Sequence, residues 1–350
     1  MRDFDYSRLE KQTWDSEILE LVAKTHEFKG RQELIVRQNS DKLEWLVDIA
    51  KIQSTEYSNK IEGIVTTNMR IKQLISDKTT PRNRDEKEIM GYRDVLNVIH
   101  ESFEYIPIST SYILQLHKML MKYSETSFGG NLKNVQNHIS ATYPDGMSKI
   151  LFTPLSPAET PIALERLCTT FNFAIGRGKA DSLLLIINFI KDFLCIHPFN
   201  DGNGRMSRVL TTLLLYRSGY FIGKYISLEK KIENTKDIYY QVLQESSEDW
   251  HEGSNDNTPF VKYMLRIILS AYRDFEERLE IIGSNNSSYN KVKQFVDSSI
   301  GRFTKSDVMS GIPTISKASV ENALKSMVEN GSIERHGSGK ATYYLKINGI

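Results

Sequence analysis

His197 to Arg208 is a run of twelve residues that holds a histidine, an aspartate, an asparagine between two glycines, and two arginines. A histidine, with an ordinary pKa near about 6.5, can take a proton from an attacking hydroxyl at neutral pH. Gly202 and Gly204 allow backbone conformations at positive φ that side chains bearing a Cβ adopt only at a cost. Successive backbone N–H groups can then face one concavity at a helix N-terminus, an arrangement that binds phosphates. Arg205 and Arg208 are three apart on the first turn of that helix, so both guanidinium groups can reach an anion held there. Asp201 is a hard oxygen ligand suited to a Mg²⁺ that keeps most of its waters, and Asn203 offers an amide donor. Phe199 reads as a buried anchor beneath the loop. The plain alternative is a turn rich in Gly, Asn and Asp with a structural histidine.

Two strongly apolar helices must hold this loop, one through Leu183 to Cys195 and one from about Arg205 to Tyr216, and Pro198 stops the first. Apolar residues recur at three and four along most of the chain, which predicts a mostly α fold. Ser127 to Pro157 lacks helical periodicity and reads as an irregular loop with one extended piece, Lys149 to Thr153, beside the turn at Pro144-Asp145-Gly146. Gly283 to Ser288 has linker composition. Beyond it, Phe295 to Ser299, Thr304 to Met309 and Lys317 to Asn330 read as helices, and Ser332 to Arg335 and Thr342 to Leu345 as strands, the pattern of a winged helix-turn-helix domain. The expected divisions are a helical region over 1–100, a core over 101–282, a linker over 283–290 and the winged helix over 291–350.

Across 350 residues, 45 Lys+Arg against 44 Asp+Glu exclude a nucleic-acid coat or a polybasic membrane binder. The balance is uneven: residues 288–350 carry nine basic and five acidic residues, +4, against −3 for the rest. With two cysteines, Cys168 and Cys195, in apolar runs, neither a disulfide framework nor a structural zinc site is expected. His26, His100, His117, His138, His251 and His336 show no ligand spacing and read as structural. No run is apolar enough to span a bilayer and no signal peptide is legible, so a soluble cytoplasmic protein is expected.

The loop resembles the motif of the Fic family, HxFx(D/E)GN(G/K)RxxR, at His197, Phe199, Asp201, Gly202, Asn203, Gly204, Arg205 and Arg208. The resemblance covers roughly Glu101 to Arg278 and extends more loosely through the N-terminal helices. It implies a helical core with a short β-hairpin flap, ATP and Mg²⁺, and transfer of AMP to a Ser, Thr or Tyr hydroxyl of a target protein, with pyrophosphate released. His197 is then the general base, Asp201 the Mg²⁺ ligand, and Gly202, Asn203, Gly204, Arg205, Met206, Ser207 and Arg208 the phosphate-holding segment. Lys149, Ile150, Leu151, Phe152 and Thr153 become the flap that pairs with an extended target segment, the alternative being a plain surface hairpin. Tyr239 and Tyr240 come to lie beside adenine, although paired tyrosines on a helix are as often neighbours of core and surface.

Upstream, Ser58-Asn59-Lys60-Ile61-Glu62-Gly63 fits (S/T)xxxE(G/N), which in Fic proteins marks an inhibitory helix. Ser58 and Glu62 stand one helical turn apart, and Gly63 can end the helix or permit close approach. Alone, the pattern is weak and reads more simply as a solvated glutamate. With the Fic motif present, a Glu62–Arg208 pair is expected to occupy the arginine that otherwise holds the γ-phosphate, giving a restrained enzyme capable of self-modification once released. Hydrolysis of AMP from a modified protein with help from Glu62 is a second expectation. Similar proteins also dimerise. An alternative from another class is a DNA-binding regulator with a nucleotide-responsive helical core, in which Lys317, Lys325, Arg335, His336 and Lys340 of the winged helix meet phosphates, or a winged helix that docks protein.

Overall fold

The structure is a computed structural model that describes residues 4–76, 79–124, 128–142, 148–283, 288–299, 302–312 and 315–347. It is mostly helical, and it divides into two compact units, Met1–Tyr272 and Arg273–Ile350. Of the linker expected over 283–290, residues 284–287 lie outside the described residues.

The first unit begins with a 46-residue helix, α1 (Ser16–Ile61), whose N-cap Asp15 accepts a hydrogen bond from the Ile18 N–H. α2 (Asn68–Ile75), α3 (Arg84–Ser102) and α4 (Thr110–Leu120) follow, capped by Thr67, Asn83 and Ser109. A two-stranded antiparallel sheet, β1 (Ile139–Thr142) and β2 (Ser148–Phe152), precedes α5 (Thr160–Arg177). The extended piece anticipated at Lys149–Thr153 is therefore half of a hairpin, and its partner β1 comes from the stretch that showed no periodicity. The tip of the hairpin, with the expected Pro144-Asp145-Gly146 turn, lies outside the described residues.

α6 (Ser182–Ile196) is buried at every position from Leu183 to Ile196, and α7 (Asn203–Arg217) is nearly as enclosed. These two form the centre, with α5 packed on α6, and α1, α3 and α4 packed on α7. Each fully buried Leu, Ile or Phe contributes roughly 1.5–3 kcal/mol, so the corner between α6 and α7 is anchored on both sides by the densest part of the core. α8 (Leu228–Asn234) lies against α1, and α9 (Lys236–Glu245) follows it directly. α10 (Thr258–Gly283) carries the boundary between the units.

The second unit continues with α11 (Ser288–Ser298), α12 (Lys305–Gly311) and α13 (Lys317–Glu329), then an antiparallel hairpin of β3 (Ile333–His336) and β4 (Tyr343–Lys346). Thr304 and Asp307 form a reciprocal capping box at the start of α12. Val292, Val296, Phe303, Val308, Val320, Leu324 and Ile333 meet in its own core.

Candidate active site at the corner of two central helices

α6 ends where Pro198 follows His197, and His197 itself stands at φ +50°, a left-handed conformation that is uncommon outside glycine. Its Nδ1 lies 3.2 Å from the Leu194 carbonyl oxygen. A carbonyl only accepts, so Nδ1 carries the proton and Nε2 is left as a bare acceptor. Burial pushes the His197 pKa down from 6.5 to about 4, more than the Leu194 hydrogen bond raises it, so the ring is neutral at pH 7.

A set of polar contacts fixes the backbone beyond this histidine. Phe199 is fully buried and stacks on His117 with ring centroids 3.6 Å apart, which gives it the anchoring place expected of it. Asn203 closes a small ring with the Phe199 backbone: Phe199 N–H donates to Asn203 Oδ1 at 2.9 Å and Asn203 Nδ2 donates to the Phe199 carbonyl at 2.7 Å. The amide expected to meet a phosphate is thus engaged with the loop. His117 Nδ1 accepts from Gly130 N–H at 3.1 Å, which places its proton on Nε2 for the Asp201 carbonyl at 3.0 Å. Asn137 donates to the carbonyls of Phe199 and His197, and buried Lys133 donates from Nζ to the Ile196 carbonyl at 3.0 Å and to Asn137 Oδ1.

Lys133 and Asn137, four apart in the stretch without periodicity, were not singled out by the sequence. Burial lowers Lys133 to about 8, which leaves it mainly charged at neutral pH beside the C-terminal carbonyls of α6. Lys133→Met is expected to leave the Ile196 carbonyl without this donor and to cost about 1–3 kcal/mol. Thermal unfolding of the variant checks this, and an unchanged Tm contradicts it.

α7 starts at Asn203 after Gly202, whose φ of +82° supplies the left-handed turn. Gly204 differs from the expectation, because it is helical. Its lack of a Cβ matters for another reason: a Cβ there would overlap the Glu62 carboxylate. That carboxylate comes from the C-terminal end of α1, where Gly63 at φ +78° ends the helix. Arg208 NH2 donates to Glu62 Oε1 at 2.7 Å and to the Ser58 carbonyl at 2.9 Å, while Nε donates to Ser58 Oγ at 2.8 Å. Burial works to raise the Glu62 carboxyl, but the Arg208 guanidinium holds it below its ordinary value. Arg208 itself is raised, with burial outweighed by the charge of Glu62. Lys236 Nζ donates to the Ile61 carbonyl at 2.6 Å and Lys60 pairs with Glu233 at 2.6 Å, which ties this end of α1 to α8 and α9.

Arg205 does not stand beside Arg208 facing open space. It is buried, with NH1 2.7 Å from Glu88 Oε2 on α3 and NH2 3.5 Å from Asp201 Oδ1. The Asp201 side chain is 47% exposed at the mouth of the loop, and its Oδ1 accepts from Gly202 N–H at 2.6 Å. Met206 points into the core, and Ser207 donates to the Gly204 carbonyl. Tyr239 is buried against Tyr240, Phe260 and Tyr263.

These parts surround one cleft of about 880 Å³, a size that suits a small ligand. His197, Asp201, Gly202, Asn203, Gly204, Arg205, Arg208, Glu62, Tyr239 and Tyr240 all line it; Met206, Ser207, Ser58 and Gly63 do not. From the hairpin, Leu151 reaches the lining with His138 and Ile139. Ile150 is exposed, Phe152 stacks on His251, and the Thr153 carbonyl accepts from His251 Nε2. The side chain of Lys149 lies outside the described residues. Arg84, Asp85 and Glu88 of α3 and Lys236 of α9 complete the wall without having been foreseen.

In the second unit, Lys325 pairs with Glu329 and Glu321 pairs with Lys305, so the exposed side of α13 is largely neutralised. Lys317 and Arg335 are exposed, and His336 stacks on Tyr343 beside Glu334. The side chain of Lys340 lies outside the described residues. Among the described residues no helix is long and apolar enough to cross a membrane.

Comparison with known proteins gives the same picture. Residues 107–215 match the family model described as Fic/DOC family. Protein adenylyltransferase Fic of Drosophila yakuba is 25% identical over 223 residues, 61% of this chain, and the chain spans 40% of that relative's length. Among solved structures, a Fic family protein from Desulfovibrio desulfuricans G20 superposes with a TM-score of 0.64 at 20% identity, over 97% of this chain and 98% of the other. A Fic domain containing signaling protein from Bacteroides thetaiotaomicron VPI-5482 does so with a TM-score of 0.56 at 25% identity, over 74% and 94%. With the helical fold, the loop between α6 and α7 and the matched family model in agreement, residues 107–215 of the chain form a Fic/DOC family domain.

Proposed function

We propose that this cleft transfers AMP from ATP to a Ser, Thr or Tyr hydroxyl of a protein, and that Glu62 restrains the transfer by holding Arg208. The observation that carries the reading is the bare Nε2 of His197 in the same cleft as the N-terminus of α7 and Arg208. The hydroxyl gives its proton to His197 Nε2 as its oxygen bonds to the α-phosphorus, and the bond from that phosphorus to the bridging oxygen breaks to release pyrophosphate. Arg208, once free of Glu62, and the N–H groups at the start of α7 stabilise the phosphate charge. Tyr239 and Tyr240 offer aromatic surface to the base.

Asp201 is a single half-exposed carboxylate, and among the described residues no three His, Cys, Asp or Glu side chains gather as a cage. That fits Mg²⁺, which binds through one or two carboxylates plus phosphates and keeps water, and Asp201 would hold it. When bound, the ion would neutralise phosphate charge.

Labelled ATP tests the reaction. With the label on the α-phosphate it is expected to enter protein, and with the label on the γ-phosphate it is expected to leave as pyrophosphate; label from the γ-position on protein would make this a kinase and overturn the reading.

The pH dependence follows from His197. The base works only unprotonated, and its value near 4 places the acid limb of kcat/KM well below the ordinary 6.5. At pH 5.5 the activity is expected to be largely retained, whereas an unperturbed histidine would be roughly nine-tenths protonated. A limb centred at 6.5 contradicts the assignment.

A further inference from the structure

Arg84 has no part in the steps above, yet its side chain, 80% exposed, stands on the wall of the cleft. Its Nε donates to Glu88 Oε1 at 2.7 Å, while the other oxygen of Glu88 lies 2.7 Å from NH1 of Arg205. One buried carboxylate therefore aims two guanidinium groups, one fixed in the core and one at the surface. Both converge on Asp201, Arg205 NH2 at 3.5 Å from Oδ1 and Arg84 NH2 at 3.9 Å from Oδ2.

These last distances are too long for good hydrogen bonds, so the two groups attract Asp201 without satisfying their donors on it. Arg205 is the clearer case. Its Nε and NH1 are buried without a hydrogen-bond partner among the described residues, the approach of NH1 to Glu88 being an ion pair out of hydrogen-bond alignment. Both atoms are shut off from the cleft, so it is NH2, facing Asp201, that Arg205 presents there. An anion with several oxygens on neighbouring centres fits two planar forks better than one carboxylate does. The site also lies beside the N-terminus of α7, where the phosphate-binding segment begins.

We propose that Arg84, positioned by Glu88 and acting beside Arg205, binds the pyrophosphate end of the nucleotide. The inference rests on the ATP reading above and extends it to a residue outside the loop. Arg205 is held in the core and keeps its place, whereas exposed Arg84 turns from Asp201 to the phosphate oxygens when nucleotide enters and follows the pyrophosphate as it leaves. Glu88 is a positioning residue that keeps the Arg84 stem on the cleft wall.

Equilibrium binding to the full chain carrying Glu62→Gly, with and without Arg84→Ala, tests this with four ligands: ATP, pyrophosphate, AMP and adenosine. Arg84→Ala is expected to weaken ATP and pyrophosphate about tenfold and to leave AMP and adenosine within about twofold. Arg84→Lys, which keeps the charge and loses the fork, is expected to fall between. Arg84 is exposed, so its variants are expected to unfold at the temperature of the parent. Unchanged or tighter ATP and pyrophosphate binding in Arg84→Ala overturns the proposal, as does equal weakening of all four ligands. A parent that binds pyrophosphate and not ATP refutes the ATP reading while the pyrophosphate arm still reads Arg84; a parent that binds neither refutes both.

Discussion

Glu62→Gly is expected to raise AMP transfer at least tenfold while lowering the stability of the nucleotide-free protein. The first effect follows from what Arg208 touches. Its NH2 is shared between Glu62 Oε1 at 2.7 Å and the Ser58 carbonyl at 2.9 Å, so a phosphate must displace a carboxylate to reach it. A charge-assisted hydrogen bond contributes about 1.5–3 kcal/mol, roughly a ten- to hundredfold bias toward the closed arrangement. Glycine also clears the space above Gly204 that the Glu62 carboxylate fills. The second effect follows from burial. Arg208 stays enclosed, with Ser58 its remaining hydrogen-bond partner among the described residues, and removing one member of a buried pair destabilises. Because the Glu62 side chain is 32% exposed, the cost is discounted to about 1–2 kcal/mol. ATP is expected to restore the lost stability by supplying the missing anion. Labelled-AMP transfer and Tm with and without ATP check the two effects. A more active variant with an unchanged Tm would mean that Glu62 acts sterically and not through its charge.

His197→Ala is expected to reduce transfer by a factor of about 10² to 10⁴, whether or not Glu62 is present. Nε2 has its lone pair free because the Leu194 carbonyl holds Nδ1–H, whereas Nδ1 of His138, the other histidine on the described cleft wall, lies 3.3 Å from Thr153 Oγ1. Nucleotide binding is expected to stay within about twofold, since His197 removes a proton and holds no phosphate. A variant that loses binding and transfer together would make His197 a positioning residue. The separation of kcat from KM decides between these.

The corner itself was legible in the sequence because its causes are local. Pro198 ends α6, Gly202 turns the chain, and the apolar runs on either side can only be central helices. The link between Ser58, Glu62 and Arg208 was legible only through the spacing of one helical turn together with the motif, and the geometry brings the three together. What escaped the sequence depends on distant partners. That Arg205 is buried and paired with Glu88 of α3 has no local signal, and Asn203 reads as a free amide until the loop closes on its own backbone. Lys133 and Asn137 carry no local signal, since their role is to meet carbonyl groups that the loop leaves unpaired. β1 was hidden for a related reason, because a four-residue strand gains its identity from its partner. Tyr239 is expected beside adenine only through the resemblance, and its burial against Phe260 and Tyr263 makes it part of the core as well.

Glu62 and a nucleotide compete for Arg208, with His197 as the base. Intact-mass measurement after exposure to ATP and Mg²⁺ tests it most directly, on the unaltered chain, Glu62→Gly, and Glu62→Gly with His197→Ala. The predicted result is a gain of one or more AMP groups by the Glu62→Gly protein, little gain by the unaltered chain and none by the double variant. Equal gain by the single and double variants, or no gain by Glu62→Gly over the unaltered chain, would contradict it.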